Sequence, residues 1–203
     1  AAASWDWRGQ QLSFVGLPPP ALLGRVQFDN AATVLAAVEC LHSRLPLNRA
    51  AIERGLRSVR LAGRFQIARR DADRGVDWIL DVAHNPAAAQ TLAANLAARE
   101  HRGRTIAVCG ILADKDIGGV IAALRESIDI WIVAGVDGPR ALSAQGLADA
   151  VRQAGVEVTH TASDVRYACE FARGTARSGD RIVVFGSFHT VGPALEWLTA
   201  SDV

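Results

Sequence analysis

The 203-residue chain is 50% hydrophobic and 21% charged, with a formal net charge of +1, a balance ordinary for a soluble, core-forming protein. Neither that charge nor any run of lysine and arginine points to a nucleic-acid surface. No apolar run reaches membrane-spanning length and no signal-peptide pattern is present, so a membrane partner is not expected either. Three scattered cysteines, Cys40, Cys109 and Cys169, read as reduced, buried thiols of a cytoplasmic protein. The chain lacks methionine and opens Ala-Ala-Ala-Ser, which reads as a piece of a longer polypeptide.

In chain order, residues 4–15 alternate in strand fashion around Trp5, Trp7, Leu12 and Phe14, until Gly16-Leu17-Pro18-Pro19-Pro20 breaks the pattern. A helix is expected from Gly24 to Leu41 and a second over 48–59, entered after Pro46 with Asn48 as its cap. Two ribbons and two apolar helices make no sizeable core, so residues 1–60 read as the tail of a preceding domain. After Ala62-Gly63-Arg64 the rhythm changes. Strands are expected at 65–70, 76–81, 105–112, 128–136, 156–161 and 181–185. Helices are expected at 86–100, 117–125, 143–154, 164–177 and 191–198. Strands alternating with helices of that length predict an α/β fold over 61–203: a mainly parallel, Rossmann-like sheet with helices on both faces.

The stretch Val76-Asp77-Trp78-Ile79-Leu80-Asp81-Val82-Ala83-His84-Asn85-Pro86 organises this half. An apolar strand turns polar, and Asn85-Pro86 supplies a helix cap with proline at the first helical position, where its missing N–H costs nothing. Asp81 and His84 then lie in the strand-to-helix turn, at the sheet edge where open α/β proteins bind ligands. As capping residues alone they would only satisfy backbone amides. The other strand ends are also rich in chemistry: Gly110 to Asp116, Asp137 to Arg140, and Gly186 to Thr190. The opposite turns at Gly103, Ser127, Gly155 and Gly179 look bland, and Arg99 to Arg104 look like solvated ends. A binding site is therefore expected on the carboxyl edge.

Several classes fall away. No G-x-G-x-x-G follows a strand and no G-x-x-x-x-G-K-[ST] is present. Ser187 lacks the second glycine of a nucleophile elbow, and cysteine and histidine spacing suits no metal. His42, His101 and His160 read as surface or helix-end residues, and the tryptophans as core or interface anchors.

Taken together, Leu80-Asp81-Val82-Ala83-His84-Asn85-Pro86 resembles the D-G/V-A-H-N-P signature of dihydrofolate and folylpolyglutamate synthases, within the Mur ligase superfamily. Asn30-Ala31-Ala32 is similar to the superfamily's N-A-A helix, Gly63-Arg64-Phe65 to its P-G-R-F/E segment, and Ile111 to Asp116 to its M/L-x-D-K-D loop. Gly138-Pro139-Arg140 and Gly186 to Gly192 resemble the bifunctional bacterial members. The departures are Val82 for glycine, Ala62 for proline and Val26 for a histidine.

The resemblance implies a ligase that activates a carboxylate with ATP as an acyl phosphate, which an amino group then attacks. It implies a Mur ligase carboxyl-terminal domain over 61–203, a glutamate ligase domain, and a partial segment of the central P-loop ATPase domain over 1–60. ATP, L-glutamate and dihydropteroate or folate would be the partners, with Mg2+ held mainly outside this chain. Carried over residue by residue, Asn30 would read the adenine, Asp81 the ribose and Arg64 the terminal phosphate, where a bidentate guanidinium suits the oxygens. His84 would meet the incoming glutamate and Ser187 would join that pocket, with Arg64 and His84 taking the catalytic roles. Lys115 and Asp116 are weaker candidates that could equally be a charge pair at a helix start. A monomer is expected, and the chain alone is expected to be inactive. The competing readings are a non-catalytic α/β binding module and another Mur-type ligase acting on a peptidoglycan precursor.

Overall fold

The computed structural model describes residues 4–71 and 75–200. Two compact units emerge, Ala1–Leu61 and Ala62–Val203. In the first, β1 (Trp5–Arg8) and β2 (Ser13–Leu17) form an antiparallel pair, followed by α1 (Val26–Cys40) and α2 (Arg49–Ser58). The strand does not stop at Gly16. Gly16 takes a positive φ of 69°, its N–H donates to Asp6, and Leu17 still pairs with Trp5. Glu39 of α1 ties down the turn between the strands by accepting the amides of Gln10, Gln11 and Leu12. Those three bonds favour the charged form and lower its pKa. Asn48 caps α2 through the Ala51 amide, as its position predicts.

The buried cluster of this unit is small, Trp7, Leu17, Leu35 and Ile52. Val34, Leu47 and Val59 stay exposed, and a cavity of about 330 Å3 between α1 and α2 is lined by Leu35, Leu56 and other apolar residues, with Gln27 and Asn30 among them. Cys40 is exposed, contrary to expectation. It ends α1, where little packs over the last turn, whereas Cys109 and Cys169 are buried. Burial pushes both of those thiols up, Cys169 to about 12.

The second unit holds a six-stranded sheet: β3 (Gln66–Asp71), β4 (Val76–Asp81), β5 (Thr105–Cys109), β6 (Ile130–Ala134), β7 (His160–Ala162) and β8 (Arg181–Phe185). Their order is β3-β4-β8-β5-β6-β7. β3 pairs antiparallel with β4 and every other pairing is parallel, so the sheet is mainly parallel as the pattern predicts. Strand residues alternate between two cores because successive side chains point to opposite faces. Ile79, Ala107, Val133 and Phe185 pack under α3 (Pro86–Ala97), α4 (Ile117–Leu124) and α5 (Ala144–Gln153). Leu80, Val108, Ile132 and Val184 pack under α6 (Val165–Thr175) and α7 (Phe188–Ala200).

Three of the boundary shifts have a visible physical cause. β5 leaves the ladder after Cys109, where the Gly110 amide turns to the carbonyl of Phe185. β7 begins at His160 rather than Val156. Gly155 turns with φ of 81°, and Val156 and Val158 pack against the core as coil before the chain reaches the β6 edge. α7 begins at Phe188, three residues early. Pro193 lies inside it, and its first turn is held by the carbonyl of Ser187, which accepts the amides of Thr190 and Val191.

The opposite edge is not bland, nor are Arg99 and Arg104 solvated ends. Arg104 makes two bonds to the buried carboxylate of Asp180, at 2.7 and 3.2 Å, and Arg99 pairs with Asp77 at 2.6 Å. Arg181, 4% exposed, donates to Thr105 Oγ1 and to the carbonyl of Leu96 near the end of α3, a favourable place for a cation. His101 also belongs to this network through a 3.3 Å contact with Thr105. Burial, followed by the Arg181 charge, lowers its pKa.

Candidate active site

The sheet order creates a crevice. α3 leaves β4 onto one face of the sheet and α7 leaves the neighbouring β8 onto the other, so the two helices diverge where those strands end. Ligands of open α/β sheets settle at such a switch point. Into it come the ends of β4 (81–85), β8 (186–190) and, on the far side of β8, β5 (110–116).

Asp81 stands at its centre, half-buried. Its Oδ2 accepts the Phe65 amide at 2.9 Å and its Oδ1 accepts the Ala83 amide at 2.8 Å. Part of its work is thus the structural one that spacing alone allowed. Burial raises its pKa, while those two amides and the Arg64 charge pull it back down. A carboxylate has about four acceptor directions, so two remain for a ligand.

The Phe65 bond also explains Arg64. Gly63 and Phe65 both have positive φ, 68° and 44°. For buried Phe65 that conformation is costly, on the order of 1–3 kcal/mol. Asp81 holds Phe65 there, while Gly63 donates to Gln66 Oε1 and accepts from the Val82 amide. The turn leaves Arg64 exposed, with no ion pair among the described residues and close enough to Asp81 to act on its charge. No side chain fits at Gly63: a Cβ there would lie 2.8 Å from Val82.

His84 is half-buried, and its Nδ1 lies 2.8 Å from the carbonyl oxygen of Val82. A carbonyl only accepts, so Nδ1 carries a proton, and in neutral imidazole Nε2 is left as an acceptor. Asn85 caps α3 through the Ala88 amide, with Pro86 first in the helix, as predicted.

Lys115 and Asp116 do not pair with each other. Asp116 caps α4 through the Gly119 amide, and Lys115 lies 2.9 Å from Asp114, which Arg140 also reaches at 3.2 Å. The Lys115 hydrogen bond leads the influences that hold the Asp114 carboxyl below its usual range. Ser187 is 8% exposed and contacts Thr190 Oγ1 at 3.1 Å.

The second unit therefore gathers Arg64, Asp81, His84, Ser187, Lys115 and Asp116 at one sheet edge. Asn30 belongs to the first unit, on α1, where its side-chain amide donates to Gln27 at 3.0 Å. Sequence reasoning missed Thr190 and Gln66. A hydroxyl three residues after Ser187 at the start of a helix was the available signal for Thr190. Among the described residues no group of three or more His, Cys, Asp or Glu could hold a metal ion. No helix in the described residues is long and apolar enough to cross a membrane.

A crevice of this topology, edged by the Arg64 turn and the D-V-A-H-N-P element, defines an α/β ligand-binding domain. The family model described as Mur ligase, glutamate ligase domain, matches residues 63–188. The chain belongs to the Mur ligase family. Within it, the chain is similar to the dihydrofolate synthase/folylpolyglutamate synthase of Escherichia coli, 38% identical over 196 residues, covering 97% of this chain and 43% of that protein. Its structure is similar to E. coli FolC in complex with DHPP and ADP, at 35% identity and a TM-score of 0.83, over 100% of this chain and 45% of that one. It is also similar to a bifunctional folylpolyglutamate synthase/dihydrofolate synthase with Mn, AMPPNP and L-glutamate bound, at 39% identity and a TM-score of 0.82, over 97% and 44%. The chain spans less than half the length of these relatives. The family and the fold expected from the motifs are borne out.

Proposed function

We propose that this chain is the carboxyl-terminal part of an ATP-dependent ligase that joins L-glutamate to dihydropteroate or a folate. The observation that carries the reading is the Asp81–Phe65 bond, which sets an exposed arginine beside a half-buried carboxylate at the switch-point crevice.

In the reaction, a substrate carboxylate takes the terminal phosphoryl group of ATP to give an acyl phosphate. The glutamate amine then attacks the acyl carbon, and phosphate leaves as the amide forms. Asp81 uses its two remaining acceptor directions on the ribose hydroxyls. Arg64 presents a guanidinium to the terminal phosphate, whose charge shifts as the bond breaks. His84, with Nδ1 tied to Val82, offers Nε2 to an N–H of the incoming amine, a position from which it can also take a proton. Ser187 joins the glutamate pocket and Asn30 keeps the adenine role, as the family resemblance implies for both. Lys115 offers a cation at the mouth of the crevice, and Asp116 serves mainly by capping α4. Magnesium finds no ligand set among the described residues.

The reading is tested with the intact polypeptide, ATP, dihydropteroate and labelled glutamate. The expected result is an amide product with one phosphate released per bond. Turnover only with a peptidoglycan precursor would move the protein to another branch of the family, and nucleotide binding without ligation of either would make it a binding module.

A further inference from the structure

Arg181 opens β8 at the amino edge of the sheet, the end of that strand remote from the crevice. It is 4% exposed. Its Nε donates to Thr105 Oγ1 at 2.9 Å, and its Nη1 donates to the carbonyls of Leu96 and Arg99 at 2.7 and 3.3 Å. Its Nη2, also a donor, bonds to nothing among the described residues. Yet among those residues no side-chain nitrogen or oxygen sealed from solvent lacks a partner. Nη2 therefore opens into the recess that Arg181 lines, a cavity of about 580 Å3 shared with Arg99, Glu100, His101 and Arg102.

The positive charge in that recess is poorly compensated. Asp77 is engaged by Arg99, Asp180 by Arg104, and Asp129 by the Thr105 amide. Glu100 and Arg102 are exposed and make no ion pair among the described residues. Burial and then the Arg99 charge lower the Arg181 pKa, and burial and then the Arg181 charge lower that of His101. The carboxyl end of α3 would itself repel an anion, but Arg181 Nη1 covers the carbonyls of Leu96 and Arg99.

The geometry points to an anion site at this edge, in which Arg181 Nη2 and the Arg102 guanidinium bind a small tetrahedral oxyanion of the phosphate class. The flat two-oxygen grip on a carboxylate takes two guanidinium nitrogens side by side, and Arg181 has one to spare. An oxyanion whose oxygens spread in several directions can bridge that nitrogen and Arg102. The site lies at the opposite end of β8 from the crevice and does not depend on the ligase reading.

Titration calorimetry of the intact polypeptide with inorganic phosphate tests it, with a non-hydrolysable ATP analogue saturating the nucleotide site. Wild type should bind phosphate saturably, and phosphate should raise the unfolding midpoint above that in chloride of equal ionic strength. Arg102→Ala and Arg181→Lys should each weaken binding about tenfold or more, as loss of a bond to a charged group does. Glu100→Gln should tighten it by removing a competing charge. Arg166→Ala, which removes an exposed arginine at the carboxyl edge, should leave it unchanged. Wild type that takes up no phosphate would overturn the proposal, as would undiminished binding by Arg102→Ala or an equal loss in Arg166→Ala. Acetate bound as tightly as phosphate would overturn the assignment to a tetrahedral oxyanion. If Arg181→Lys does not fold, the comparison of Arg102→Ala with Arg166→Ala decides alone.

Discussion

Asp81 carries two loads, a scaffold and a proposed ribose contact, and they must be tested separately. Removing its side chain frees the amides of Phe65 and Ala83 and lets the Arg64 turn relax, so Asp81→Ala would mix a folding defect with a binding one. Changing the nucleotide avoids this. With wild-type enzyme, 2′-deoxy-ATP or 3′-deoxy-ATP should show a raised KM and little change in kcat, because a ribose contact persists from ground state to transition state. Equal KM values for ATP and both analogues would restrict Asp81 to the scaffold. Arg64 presents the opposite case, being exposed, with no ion pair among the described residues. Arg64→Ala should leave the unfolding free energy within about 0.5 kcal/mol while lowering kcat by about 10²-fold or more. Unchanged kcat would make it a surface residue.

At the scale of elements, legibility followed local chemistry. The Asn85-Pro86 start of α3, the Asn48 cap of α2 and the limits of β8 were readable because caps and fully buried parallel strands leave strong local marks. The early start of α7 was not, since only the Ser187 carbonyl shows how the first turn is held. β7 slid because an apolar run that packs as coil looks the same as one that pairs. Among site residues, Asp81 and His84 stood out by type and position. Thr190 did not, because its role depends on Gly110, eighty residues away. The amino edge was misread for the same reason: Asp180 meets Arg104 only after folding.

That pair yields a pH prediction. Burial alone would raise the Asp180 pKa, but the Arg104 guanidinium and the amides of Arg177 and Arg104 outweigh it and hold the carboxyl below its usual range. A depressed folded pKa contributes stability that is present above the unfolded value, about 3.9, and is lost as pH falls through the folded one. Asp180→Asn should therefore cost about 1–3 kcal/mol near neutral pH, the cost of leaving hydrogen-bonding groups poorly matched, because Arg104 keeps a third of its side chain in water. The cost should shrink as the solution is acidified below about pH 4. Urea unfolding across that range checks it, and a pH-independent difference would detach the effect from this charge.

At the scale of the whole molecule, the chain carries a glutamate ligase domain and a smaller unit with only four buried hydrophobic residues in its cluster, and it spans less than half of its relatives. No G-x-x-x-x-G-K-[ST] motif occurs in its 203 residues. The purified chain alone should therefore ligate no glutamate in the presence of ATP. Clear turnover, free of host enzyme, would mean that the acyl-phosphate chemistry is complete within these residues.

The central claim, that the β4 end receives glutamate, is tested most directly at His84. Asn can reproduce the Nδ1–H donation to Val82 but has nothing in place of Nε2, whereas Gln presents a polar atom near Nε2 and gives up the Val82 bond. The measurement is the glutamate and ATP KM values of His84→Asn and His84→Gln in the intact polypeptide, alongside their unfolding midpoints. The account predicts that His84→Asn raises glutamate KM or lowers kcat, with ATP KM and midpoint near wild type, and that His84→Gln is the less impaired kinetically. Normal kinetics in both variants, with lowered midpoints, would contradict it and make the turn scaffolding.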